Sequence, residues 1–449
     1  MKTTVSRRQF LITGAALSGG LLVGCGKPSA SDRLGAGSIL SVEGGEVALN
    51  GWVKIAPDGK VTVAVPRSEM GQGVLTSLPM LLVEELDARW EDVKVEQAPV
   101  AQIYANATMM LNVVPFASDD DGVLARMVRA SMQRLGYALS LQVTGGSASI
   151  RDAWEPLRLA GATARAMLVE AAAKRWSVQA DQCRVEAGQV INVKSGARLG
   201  FGELAKDAAT LTPPQDVRFK DPGQYKLIGK PMPRQDIPPK TDGSAVFGID
   251  VKVDGMVYAA IAQPPVFGAK VASVDDKAAL QRKGVLKVLR IPQGVVVVAN
   301  NWWRAKQALG DLKITYEPSP HDQYSSAEMR KQYETELAAN KGFAYGTKGN
   351  TDEALKQAAK VIEATYWAPL LAHAAMEPMN CVVKLSADAC EIWNGEQFQS
   401  IDQPEVAAVL GMKPEQVKLN MLFAETCSTM CTGPRRCPSS APPWMARAA

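Results

Sequence analysis

Apolar and polar residues alternate through VKIAPDGKVTVAVP, residues 53–66, on either side of Pro57-Asp58-Gly59. Period-two alternation marks half-buried strands, and a Pro-Asp-Gly centre presets turn angles, so this stretch predicts a hairpin. The period then changes. Between Leu75 and Leu86 apolar residues recur at three- and four-residue intervals, which predicts a helix, and residues 123–139 and 154–176 carry the same pattern. CRVEAGQVINVKSGARLGF returns to strand alternation and predicts a small hairpin bending at Gly188 and Ser195-Gly196. Everything to about residue 215 reads as one α+β unit.

The stretch DPGQYKLIGKPMPRQDIPPKTDGSAVFG is polar and rich in proline and glycine, so a boundary is expected there. Beyond it GMVYAAIAQPP, GVVVVAN and LKITYEP read as strands and WWRAKQALG as a helix, a compact α/β domain ending near Pro318. Residues 321–348 are polar with a helical pattern. VIEATYWAPLLAHAAMEPMNCVVKL then predicts strand, loop and strand. The last 25 residues, ETCSTMCTGPRRCPSSAPPWMARAA, show no apolar periodicity and no readable packed element. Their Cys-x3-Cys-x5-Cys spacing matches no zinc or iron-sulfur pattern.

The N-terminus has its own logic. In SRRQFLITGAALSGGLLVGC, residues 6–25, Arg7 and Arg8 precede an apolar run loosened by Gly14, Gly19 and Gly20. A charged head, apolar middle and small-residue end make a secretory signal, too short for a stable spanning helix of roughly 20 apolar residues. The arginine pair resembles the address of the Tat route, which carries folded cargo. Leu-Val-Gly-Cys fits a lipoprotein cleavage box that would leave Cys25 carrying lipid. The plainer alternative is an ordinary signal with a chance arginine pair and cysteine. The expected location is periplasmic, Tat-exported, with lipid anchoring at Cys25.

Length and charge narrow the class. At 449 residues the chain has room for two to four domains, and 47% hydrophobic residues supply more than one core. Fifty basic against 46 acidic residues give a formal charge of +4, too balanced for an electrostatic nucleic-acid binder. The two histidines, His321 and His373, have no partner at metal-ligand spacing, which argues against a side-chain zinc or non-haem iron site. An exported chain can form disulfides, but its cysteines do not reveal their pairing.

Three segments carry candidate chemistry. In Glu69-Met70-Gly71-Gln72-Gly73 two glycines let backbone approach a bulky ligand, and Gln72 offers donor and acceptor together. The helix N-terminus beyond favours phosphate. Thr144-Gly145-Gly146-Ser147-Ala148-Ser149 repeats that logic before a second helix. Taken singly, either segment is more often only a turn. In HAAMEPMNC, Glu377 reads as a structural carboxylate bonding backbone amides or as a buried acid with a raised pKa, and His373 as a packing histidine.

Five co-linear motifs together resemble one family. After the twin-arginine signal come EMGQGVLTSLPMLLVEELDARW, TGGSASIRDAWEPLRLAGATARAML, LIGKPMPRQDIPPKTDGSAVFGIDV and HAAMEPMNC, covering residues 6 to about 423. The set looks like the molybdopterin-binding large subunit of the xanthine dehydrogenase family, of the isoquinoline 1-oxidoreductase β-subunit (aldehyde dehydrogenase) type. The resemblance implies a multidomain α+β fold and a molybdenum hydroxylase that oxidises an aldehyde or N-heteroaromatic substrate with water-derived oxygen. It implies molybdopterin cytosine dinucleotide facing Gly71, Gln72, Gly73, Gly145, Gly146 and Ser147. Electrons would leave through a small subunit with two-iron, two-sulfur clusters to an acceptor such as a cytochrome. Insertion of the cofactor in the cytoplasm would explain export in the folded state through the Tat machinery.

The same resemblance implies an organisation: signal and linker at 1–37, a first molybdopterin-binding segment at 38–215 and an α/β hammerhead domain at 216–320. An incomplete start of the next cofactor-binding domain follows at 321–424, then an aberrant tail at 425–449. After NMLFA the family continues into a glycine-rich loop and, later, the glutamate base that activates the metal-bound hydroxyl. Here a cysteine- and proline-rich tail stands instead, as from a shifted reading frame, so no catalytic residue is assigned and the chain as written is expected to be inactive. Two readings outside this class remain: a non-catalytic exported module binding a nucleotide-like cofactor, and a structural lipoprotein without ligand.

Overall fold

The computed structural model describes residues 29–423 except 117–118, 215, 267, 340–341, 343–348 and 371–375. Arg7, Arg8, Cys25, His373 and the C-terminal cysteines therefore lie outside the described residues. Contacts group the described chain into two units, one running to Val251 and resuming at Met376, the other holding the residues between.

The first unit is built around one four-stranded sheet. β1 (Val47–Asn50), β2 (Val53–Ile55) and β3 (Val61–Val65) pair antiparallel in order. The predicted hairpin is β2 and β3, which turn at residues 57–59. All five residues of β3 are buried, because both faces of that strand are covered. α1 (Val74–Leu86) is a crossover that returns the chain to β4 (Val93–Gln97), parallel to β3. α2 (Val123–Ala138) lies toward the surface, with only Ala125 and Gly136 buried.

α3 (Ser149–Trp176) starts five residues earlier than its apolar pattern, directly after the Gly-rich loop. It packs along α1 at Gly161. A Cβ there would stand 2.1 Å from the Leu82 carbonyl oxygen, so only glycine admits this crossing. Leu78, Leu82, Leu86, Leu157 and Leu168 share one core with Ile55 and Val63 from the sheet and Trp52 from the turn between β1 and β2. Where a small hairpin was expected, β5 (Cys183–Glu186), β6 (Gln189–Asn192) and β7 (Arg198–Gly200) form a three-stranded meander, and α4 (Phe201–Ala209) closes the core with Phe201 and Leu204.

The proline-rich stretch after α4 is stapled to α1 by two adjacent buried glutamates. Glu84 accepts hydrogen bonds from the backbone N–H of Lys226 (2.9 Å), Leu227 (2.7 Å) and Ile228 (3.2 Å). Glu85 accepts from the Arg158 guanidinium at 2.9 and 2.7 Å and from the Lys220 N–H at 3.0 Å. Buried carboxylates of this kind need such partners, since an unpaired buried charge is strongly destabilising. A short α5 (Ile237–Asp242) follows.

In the second unit β8 (Tyr258–Ala262), β9 (Val271–Asp275), α6 (Lys277–Leu280), β10 (Val285–Ile291), β11 (Gly294–Ala299), α7 (Trp302–Leu309) and β12 (Lys313–Tyr316) succeed one another. β10, β11 and β8 form one antiparallel sheet, and β9 pairs with β12 in another. Ala305 and Ala308 of α7 sit against Ala260, Ala299 and Val297. α8 (Ser326–Ala339) and α9 (Thr351–Gln357) follow. The strand expected from residue 361 does not form: the described residues 359–370 belong to no element. Ile362, Tyr366 and Leu370 are 80%, 91% and 80% exposed, so their apolar pattern meets no sheet face.

Back in the first unit, β13 (Val382–Leu385) and β14 (Cys390–Asn394) pair antiparallel. α10 (Gln399–Leu410) crosses over to β15 (Val417–Met421), which lies parallel to β14. Cys390, Ile392, Ala407 and Val417 form the small core beneath that crossover.

Candidate functional site

The glycine-rich loop before α1 is organised by one side chain. The Glu69 carboxylate is buried and accepts from the N–H groups of Gly71 (2.9 Å), Gly73 (2.9 Å) and Leu75 (3.0 Å). Gly71 and Gly73 take φ of +101° and +85°, the left-handed region that lets three amides converge on one carboxylate. Gln72 closes on its own loop, accepting from the Met70 N–H at 2.8 Å and donating to the Ser68 carbonyl at 2.9 Å. This corrects one expectation. The helix N-terminus at α1 does not wait for phosphate, because Glu69 already supplies its anion, while the exposed Gln72 carboxamide makes one bond within the loop through each of its polar atoms.

Arg234 holds that arrangement from outside. Its guanidinium donates to the Gly71 carbonyl at 3.0 Å and to Glu69 at 3.3 Å, and it pairs with Asp236 at 2.6 Å. Burial alone would raise the Asp236 carboxyl, but hydrogen bonds from Arg234 and Lys240 outweigh it and hold the group down at about 2.

The second loop is held differently, by the Asn112 side chain, which donates to the Gly146 carbonyl at 3.1 Å. Gly146 and Ser147 take φ of +64° and +51° and are exposed at the tip. Successive amides around left-handed residues form an anion-binding nest, and a non-glycine residue held there stores strain of about 1–3 kcal/mol. The 28-residue α3 begins directly behind this tip, and its N-cap residue, Ala148, offers no side-chain cap to its first amides.

Charge beneath the nest is arranged by Asp152 in the first turn of α3. Its carboxylate pairs with Arg33 at 2.9 Å and Arg67 at 3.0 Å and accepts from the Thr108 N–H at 3.0 Å. Arg67 is fully buried, and burial pushes its guanidinium down to about 10, still protonated at neutral pH. Two guanidinium groups against one carboxylate leave a net positive charge under the nest. A cavity of about 380 Å³ opens beside it, lined by Arg33, Thr108, Arg151, Asp152 and Trp154 among others.

A third segment, between β14 and α10, completes the cluster. Gln397 donates to the Thr144 carbonyl at 2.8 Å, and its own carbonyl accepts from the Thr144 N–H at 2.7 Å. Thr144 Oγ1 in turn accepts from the Ser68 N–H at 2.8 Å. One line of hydrogen bonds, Ser68 to Thr144 to Gln397, therefore ties the bases of both glycine-rich loops to the C-terminal crossover. Thr144 stands at the head of a candidate loop, but nothing local marks Gln397, since a buried reciprocal pair 253 positions apart has no sequence pattern. Glu69 was visible as an acid ahead of a helix.

Glu377 stands apart from this cluster. It is half-buried and accepts from the Ile249 N–H (3.0 Å) and the Asn380 side chain (2.8 Å), the structural role, and the buried-acid alternative fails on its exposure. Cys183, Cys381 and Cys390 are free thiols.

Behind the two loops four buried polar atoms make no hydrogen bond: Arg67 Nε, Ser68 Oγ, Asn106 Oδ1 and Gln142 Nε2. Three of the four groups carry an N–H or O–H. With the nest and the positive base, this donor-rich wall fits an anionic, polar cofactor. The cluster has the donors and positive charge that a binding module for an anionic group needs.

Two family profiles match the chain, at residues 26–110 and 333–423, and both describe a molybdopterin cofactor-binding domain. The chain is 32% identical to the beta chain of isoquinoline 1-oxidoreductase from Brevundimonas diminuta, a match covering 93% of this chain and 55% of that protein. It is 29% identical to the membrane-bound aldehyde dehydrogenase [pyrroloquinoline-quinone] of Gluconacetobacter polyoxogenes, covering 93% and 51%. A nicotinate dehydrogenase subunit of Pseudomonas putida is 25% identical, covering 85% and 30%. Two segments of the chain are thus similar to molybdopterin cofactor-binding domains, and most of the chain is similar to the large subunits of these oxidoreductases. It spans about half the length of the first two of these curated relatives and less of the third.

Proposed function

We propose that this chain is the cofactor-cradling part of a molybdenum hydroxylase large subunit that oxidises an aldehyde or N-heteroaromatic compound. The observation that carries the reading is the Ser68–Thr144–Gln397 line. It joins a residue from each of the two matched segments through the nest. The cofactor, in its cytosine dinucleotide form, supplies a two-electron centre and water-derived oxygen when bound. Gly145, Gly146 and Ser147 hold its phosphates with backbone amides, and Arg33 and Arg67 stabilise that anion from below. Glu69 and Arg234 keep the Gly71–Gly73 loop in one shape so that its exposed surface can lie flat against the ligand. Electrons pass to a partner protein with two-iron, two-sulfur clusters, and onward to an acceptor such as a cytochrome.

The test is the metal and nucleotide content of the chain purified from the membrane fraction. Molybdenum by mass spectrometry and cytidine monophosphate released by acid should each approach one per chain. Neither being present would refute the reading, and molybdenum without cytidine monophosphate would refute the dinucleotide form alone.

Periplasmic export by the Tat route, with lipid on Cys25, belongs to the same proposal, supported by the Arg7-Arg8 pair and the Leu-Val-Gly-Cys box. Arg7→Lys with Arg8→Lys should leave the chain cytoplasmic, and Cys25→Ser should abolish radiolabelled palmitate incorporation. Export of the double variant at the parental rate would rule out the Tat route.

A further inference from the structure

The tip of the second glycine-rich loop is set by a segment that no motif marks. Residues Ala107–Val113 form a 3₁₀ helix tied down around the base of that loop. The Thr108 N–H donates to Asp152, and just ahead of the helix Asn106 donates twice. Its side chain reaches the Val143 carbonyl at 3.0 Å and its N–H the Leu141 carbonyl at 2.7 Å. From behind, α2 closes on the segment at Gly136, where a Cβ would stand 2.7 Å from Met110 Cγ. Asn112 extends from the end of this helix to the tip and donates to the Gly146 carbonyl at 3.1 Å. It lies so close that a Cβ on Gly146 would meet its Nδ2 at 2.1 Å.

The direction of that bond decides what the loop offers. In a planar trans peptide the C=O and the N–H point opposite ways. With the Gly146 carbonyl turned to Asn112, the Ser147 N–H points away from it. The N–H groups of Gly145, Gly146 and Ser147 donate to no acceptor among the described residues, while the Ala148 N–H is used within the turn, on the Gly145 carbonyl at 3.3 Å. Three successive unclaimed amides are donors for an oxyanion.

Ser147 needs help to keep this orientation. Its φ of +51° is a left-handed value that serine adopts only at a cost. Turning the Gly146–Ser147 peptide over would carry that φ to about −130°, an ordinary extended value. The turned peptide would present the Gly146 carbonyl where the Ser147 N–H now stands, an acceptor in place of a donor. Asn112 opposes the turn, because its own hydrogen bond would be lost.

We propose that Asn112 is a positioning residue of the phosphate site: by holding the Gly146 carbonyl it keeps the Ser147 N–H directed at the bound phosphate. The inference rests on the reading of this loop as the holder of the cofactor's phosphates. Asn112 acts through the peptide it holds, and it makes the tip a donor to anions. A bound oxyanion favours the same peptide orientation, so ligand and Asn112 reinforce each other.

The test is titration of the full chain with inorganic pyrophosphate, read by calorimetry and by the Ser147 amide resonance in protein isotope-labelled at serine. Ser147→Gly identifies that resonance by removing it. Expected in the parent chain is saturable binding with a downfield shift of the Ser147 signal. Asn112→Leu, close in shape but without a donor, should weaken binding about tenfold and leave the signal little moved. Adding Ser147→Gly to Asn112→Leu should regain at least about threefold, because glycine takes a positive φ freely. Circular dichroism checks folding, and Asn112→Ala, a truncation of an exposed side chain, serves as the second variant. No saturable binding by the parent chain up to about 10 mM, or binding that leaves the Ser147 signal in place, would overturn the phosphate site and this inference with it. Binding by the parent that both Asn112 variants leave unchanged would overturn the role of Asn112 alone. So would a loss that Ser147→Gly does not regain, since it would come from general disruption of the segment.

Discussion

Asp152→Ala should destabilise the first unit by about 3–5 kcal/mol, measured as the shift in its urea unfolding midpoint. The carboxylate is the shared partner of Arg33 and Arg67, whose side chains are 5% and 0% exposed. Removing it leaves two buried guanidinium groups facing each other without an anion. Their carbonyl partners remain: Ile103 and Ala105 for Arg33, Pro66 and Tyr104 for Arg67. Those bonds cannot neutralise charge. The Thr108 N–H loses its acceptor as well. Asp152→Asn keeps the shape and one acceptor, so it should cost less than the alanine change. A loss below about 1 kcal/mol for Asp152→Ala would show that water reaches the two arginines, contrary to their burial.

Glu69→Ala is expected to have the second-largest effect, and here the loss is local. Three backbone amides lose their common acceptor, and Arg234 loses one of its anions. Hydrogen exchange at Gly71, Gly73 and Leu75 should accelerate at least roughly tenfold, with a stability loss of about 2–3 kcal/mol. Molybdenum content should fall with it if the loop lies against the cofactor. Glu69→Gln separates charge from shape: one acceptor oxygen remains, so it should protect two of the three amides. Exchange rates unchanged in both variants would mean that the loop is held by Arg234 and Gln72 without the carboxylate.

The two glycine-rich loops read alike as sequence, and the structure makes them unlike. Each offers glycine, a polar residue and a helix start. Only the first has an acid just ahead of its glycines, and that acid folds back as an internal anion. Loop two has no such residue, and the side chain that holds it, Asn112, takes a carbonyl rather than the amides. Residue-type patterns report what groups are available and not whether a neighbour has already claimed them.

The pattern of apolar residues determined much by itself. The hairpin around Pro57-Asp58-Gly59, the helix ending at Leu86, the strands from Cys183 to Gly200 and the helices near residues 123–138 and 154–176 all follow from periodicity. These elements bury one stripe or face, and a local pattern suffices to encode that. The strand expected near residue 361 failed for the complementary reason. Alternation forms a strand only beside another strand, and the described residues there have none.

Tertiary structure alone decided the rest. Arg33, Arg67 and Asp152 come from three distant segments, and Gln397 meets Thr144 across 253 residues. A lone arginine or glutamine in sequence looks like a solvated surface group. Burial is what turns it into a partner that must be satisfied, and burial is a property of packed neighbours.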